Sequence, residues 1–125
     1  MTNADLTERA AILVEECTVP PHLTGFALLV EAVVIKANRA ACKYSDIYQA
    51  LAHRHDVSPR AAARDITYAI SQADGICEAL SIKPQEVFNS RVIATLALKL
   101  KAWAADAEAE VAAHSYDRTT ASRCG

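Results

Sequence analysis

The sequence predicts an all-α fold, a compact bundle of about six helices containing a helix-turn-helix. Composition is the first observation behind this. Just over half of the 125 residues are hydrophobic, with only three glycines, four prolines and few aromatics, as in an alanine- and leucine-rich helical domain. The second observation is that apolar residues recur at helical rather than alternating spacing in successive segments. The third is the placement of breaks between those segments, at Val19-Pro20-Pro21, His55-Asp56-Val57, Asp74-Gly75 and Lys83-Pro84.

The first helix is expected from about Ala4 to Cys17, capped by Thr2 or Asn3, with Leu6, Ala10, Leu13 and Val14 on one side. The prolines stop it, because a residue before proline is pushed out of the α region. His22 is read as a structural residue at the start of the next helix, hydrogen-bonded to a carbonyl. That helix, from Leu23 or Thr24 to Asn38, is apolar nearly all round and predicts the buried centre of the bundle. Its interior acid, Glu31, is expected to pair with a lysine or arginine or to sit at an exposed edge.

The stretch from Asp46 to Gln72 then reads as helix, turn, helix. Ile47, Ala50 and Leu51, with Tyr48 more loosely, give the first helix its apolar side. Ser58 is positioned to cap the second, and Pro59 fits its first turn, where no donor is needed. Ala62, Ile66, Ala69 and Ile70 are expected inside, and Arg60, Arg64, Thr67 and Ser71 outside. Two short helices so joined, the second with a polar and partly cationic outer face, match the plan that sets a recognition helix into a major groove. An ordinary helical hairpin is the plainer reading of the same residues.

Asp74-Gly75 is expected to close the recognition helix through a left-handed glycine cap. Ile76 to Leu80 reads as at most a short turn of helix. Asn89 or Ser90 is expected to cap the last helix, whose stripe is Val92, Ile93, Leu96, Ala97, Leu100 and Trp103. That helix is expected to reach about Ala112. The chain divides into one domain over 1–113 and a frayed tail over 114–125.

Charge and cysteine usage narrow the function. Thirteen basic residues against fifteen acidic give a formal charge of −2, so any contact with a polyanion must come from a local patch. The four cysteines are scattered with no C-x-x-C pair, which reads as reduced thiols, two or three of them buried, in a cytoplasmic protein. No signal peptide is recognisable, and the longest apolar segment, Phe26 to Ile35, is too short to span a membrane. Metal binding is not expected, because His53 and His55 lie on different helix faces with no cysteine at ligand spacing. Without a phosphate loop, paired carboxylates or an activated nucleophile, neither an enzyme nor a cofactor or small-molecule ligand is expected.

Three segments in order carry a family resemblance: Val19–Val33, Ile47–Ile70 and Phe88–Lys101. Val19, Pro20, His22, Gly25 and Phe26, then Leu29, Glu31 and Ala32, follow one motif, and Asn89, Ser90, Ile93, Ala94, Ala97, Lys99 and Leu100 another. They resemble the C-terminal DNA-binding effector domain of the master response regulator of sporulation in endospore-forming bacteria. The resemblance covers roughly Ala10 to Trp103. It implies a six-helix domain whose third and fourth helices read double-stranded DNA, often as a dimer on tandem sites. The family's recognition helix carries a glutamate-arginine pair, then a second arginine and a histidine. Here Arg64 is kept, while Ala63, Thr67 and Tyr68 replace the other three. No receiver domain is expected, since only a few residues precede the resemblance.

The functional expectation is a stand-alone transcription regulator binding double-stranded DNA. Ser58, Arg60, Arg64, Thr67, Tyr68 and Ser71 are the candidate contacts, and Arg54 flanks the groove. An arginine can hold guanine through two parallel hydrogen bonds, and hydroxyls serve bases or phosphates. From Lys43 to Tyr68 there are four basic residues (Lys43, Arg54, Arg60, Arg64) against three aspartates, so binding should be modest and salt-sensitive. A homodimer, or a heterodimer with a related regulator, is expected through the final helix around Trp103 and its alanine-rich extension. The rival is a protein-interaction module on the same fold that has lost its DNA contacts and acts by pairing with another regulator.

Overall fold

The computed structural model describes residues 2–124, with side chains described for residues 2–112. Six α-helices follow one another: α1 (Asn3–Glu16), α2 (Thr24–Asn38), α3 (Tyr44–His55), α4 (Pro59–Ser71), α5 (Ile76–Leu80) and α6 (Asn89–Cys124). A single 3-10 turn at Pro84–Glu86 precedes α6, and no strand occurs among the described residues. The tail expected over 114–125 lies outside the residues whose side chains are described.

Helix α2 is the axis of the bundle and packs against α1, α3, α4 and α6. Leu28, Leu29, Ala32 and Val33 are at most 1% exposed, as the near-continuous apolar sequence demands. Burying a leucine of this kind stabilises the fold by about 1.5–3 kcal/mol. Leu13 and Val14 of α1, Ile47 and Leu51 of α3, Ile66 of α4, and Val92, Ile93, Leu96 and Leu100 of α6 close around it.

One contact fixes where α4 lies. A Cβ on Gly25, in the first turn of α2, would sit 2.1 Å from the Asp65 carbonyl oxygen and 2.7 Å from the Ala69 Cβ. The missing side chain therefore lets the α4 backbone press directly on α2.

Two expected caps turn out differently, each for a physical reason. Gly75 is not left-handed, its φ being −107°, and α4 closes instead on Gln72 in the right-handed region. Gly75 is small because Thr18 packs within 3.0 Å of where its Cβ would stand. The left-handed positions fall to Thr18, Asp56 and Ser81. A β-branched residue there is strained, and Thr18 is held by its hydroxyl, which accepts from the Asp74 and Gly75 N–H groups at 3.1 and 2.8 Å. Asn89 and Ser90 do not cap α6, because the Phe88 carbonyl already receives the Val92 N–H at 3.0 Å and Asn89 turns toward α3 and α4. Thr2, by contrast, caps α1 in a reciprocal pair with Asp5, as expected.

Candidate nucleic-acid interface

Three residues, Asp56 to Ser58, separate α3 from α4. Asp56 takes the left-handed conformation at φ 54°, which aspartate tolerates better than most residues. The Val57 N–H then closes back on the Ala52 carbonyl at 3.1 Å. Ser58 accepts the Ala61 N–H through its side chain at 3.0 Å, a cap worth about 1 kcal/mol. With Pro59 at the first position, the Arg60 N–H is left without an intramolecular partner in that turn.

Helix α4 divides cleanly. Ala62, Ile66, Ala69 and Ile70 are buried, as their spacing requires. Arg60, Arg64 and Tyr68 follow one another every four residues and are exposed, Tyr68 by 55%. Neither arginine has a carboxylate within ion-pair distance among the described residues, and neither stacks on an aromatic ring. These two guanidiniums therefore keep all their donors for a partner.

The other edge of the outer face is engaged with the protein itself. The Thr67 hydroxyl donates to the Ala63 carbonyl at 2.9 Å and meets the Asn89 side-chain amide at 3.0–3.2 Å. Asn89 also donates to the Ala63 carbonyl at 3.1 Å and to the Tyr48 hydroxyl at 3.2 Å, so it ties α3, α4 and α6 together. The Ser71 hydroxyl turns back to the Tyr68 carbonyl at 2.6 Å. Between this edge and α6 runs a shallow groove of about 380 Å³ lined by Thr67, Ile70, Ser71, Val87, Phe88 and Asn89. Phe88 stands 53% exposed at its rim.

Arg54, at the end of α3, lies 3.2 Å from the Glu31 carboxylate, and His55 shares the same acid. Glu31 thus finds the basic partner expected of it and anchors α3 to α2. The Arg54 side chain is still 61% exposed, but its charge is compensated. His22 is exposed and makes no side-chain hydrogen bond among the described residues, contrary to the structural bond read from sequence. Of the described cysteines only Cys17 is buried, and desolvation pushes its thiol up to about 11, which keeps it neutral and unreactive.

Sequence reasoning found α4 and its outward arginines but missed Asn89 as the tie between three helices. Its partners lie 22 to 41 residues away, and no local spacing announces them. No group of three metal-ligating side chains comes together among the described residues, and no helix there is long and apolar enough to cross a membrane. No family model matches the chain, and no curated protein matches it either.

Proposed function

We propose that the chain is a cytoplasmic transcription regulator that binds double-stranded DNA through α4, in the manner of the sporulation-regulator effector domains it resembles. The supporting observation is the row Arg60, Arg64 and Tyr68, exposed and without intramolecular partners among the described residues, on a helix that follows a three-residue turn and packs its opposite face closely on α2. On this reading α3 and α4 are a helix-turn-helix. Arg64 contacts a base edge, Arg60 and its free N–H meet a phosphate, and Tyr68 adds an apolar or hydroxyl contact. Ser58 shapes the start of α4. Arg54, Thr67 and Ser71 are secondary, since each is already engaged inside the protein.

A protein-interaction use of the same face is the second reading, favoured by the exposure of Phe88, Tyr68 and Val57 around it. Fluorescence-anisotropy titration of labelled random-sequence duplex at low and moderate salt separates the two. DNA binding that weakens with salt, and is lost in Arg64→Ala, supports the regulator. No binding at low salt leaves the interaction module.

A further inference from the structure

The outward side of α6 carries a second unpartnered surface, independent of α4 and of the DNA-binding reading. Leu98, Ala102, Ala105 and Ala109 are all exposed and follow one another at intervals of four, three and four residues, the spacing of a coiled-coil seam. Leu98 is 67% exposed, the most of any large hydrophobic side chain among the described residues. It borders an apolar groove formed with Lys36, Ala40, Ala94, Ala97 and Lys101.

Over residues 89–112 of this helix the charges are segregated. Arg91, Lys99 and Lys101 precede Trp103, while Asp106, Glu108 and Glu110 follow it. Within that span no lysine or arginine stands three or four positions from an acid, so the helix gains no ion pair from this order alone. None of Lys99, Lys101, Glu108 and Glu110 has an ion-pair partner among the described residues. Lys101 and Glu108, seven residues apart, share one flank of the seam; Lys99 and Glu110, eleven apart, share the other. Both pairs are equidistant from one point, between Ala104 and Ala105.

That symmetry selects an occupant. We propose that α6 packs antiparallel against α6 of a second copy of this chain, about a two-fold axis passing near Ala104 and Ala105. Each flank then meets the same flank of the partner, setting Lys101 opposite Glu108 and Lys99 opposite Glu110, twice over. Leu98 falls beside the partner's Ala109 and the partner's Ala112, and the alanines allow the helices to approach closely. A parallel pair is disfavoured, because it brings lysine level with lysine and acid level with acid. The interface is isologous and closes as a dimer.

Sedimentation velocity over a concentration series tests this, with far-UV circular dichroism confirming that each variant is folded. Wild type is expected to show a monomer–dimer equilibrium weakened by salt, and Leu98→Glu to shift the dissociation constant upward by about tenfold or more. A fourfold exchange, Lys99→Glu, Lys101→Glu, Glu108→Lys and Glu110→Lys in one chain, is expected to dimerise with itself. Isotope-labelled exchanged chain should not form mixed dimers with wild type in native mass spectrometry. Wild type that stays monomeric throughout, Leu98→Glu that still dimerises normally, an exchanged chain that does not self-associate, or free mixing with wild type each overturns the antiparallel pair.

Discussion

The two edges of the outer face of α4 carry similar polar residues and treat them in opposite ways. Arg60, Arg64 and Tyr68 reach solvent without intramolecular partners, whereas Thr67 and Ser71 spend their hydroxyls on Ala63, Asn89 and Tyr68 backbone or side-chain groups. The difference comes from what lies alongside. The start of α6 runs beside the Thr67 edge and supplies the Asn89 amide, while nothing covers the arginine edge. Outward position on a helical wheel therefore does not by itself make a contact residue. A side chain is free for a ligand only where the fold leaves its donors unmatched.

The comparison is broken most severely at the support both edges share. Gly25→Val places side-chain atoms where the Asp65 carbonyl and the Ala69 Cβ already stand. It is expected to cost about 3 kcal/mol of stability in urea denaturation, well above the helix-propensity gain of losing a glycine, and to abolish DNA binding with it. Arg64→Ala should separate function from fold. It is expected to lose about 1–3 kcal/mol of DNA affinity while thermal stability moves by less than about 0.5 kcal/mol. Asn89→Ala should do the reverse, costing about 1–2 kcal/mol of stability by removing the hydrogen bonds that tie the Ala63 carbonyl and the Tyr48 and Thr67 hydroxyls to α6, with a smaller effect on DNA affinity. The weakest expected effect is at the turn. Asp56→Gly relieves the left-handed φ and should stabilise the protein by about 0.5 kcal/mol without altering binding.

Much of this architecture is legible in the sequence because it depends on short-range pattern. The interior of α4, the central burial of α2 and the Ser58-Pro59 start follow from spacing and from the chemistry of caps. The caps that came out differently depend on distant neighbours. Gly75 reads as a left-handed terminator until Thr18, 57 residues earlier, is seen to occupy the space a side chain would need. Asn89 reads as a helix cap until α3 and α4 bring three acceptors to its amide. Thr67 is correctly placed as outward, but only its bond to Asn89 shows that it is structural.

The central claim is that the arginine edge of α4 meets a nucleic-acid backbone and groove. The most direct measurement is the salt dependence of duplex binding for wild type, Arg60→Ala, Arg64→Ala and the double variant. Wild-type affinity should fall log-linearly with salt, Arg60→Ala should flatten that slope by about one unit, Arg64→Ala should weaken binding at every salt concentration, and the double variant should show both losses. Wild-type binding that ignores salt, or a double variant with an unchanged slope, would contradict the claim.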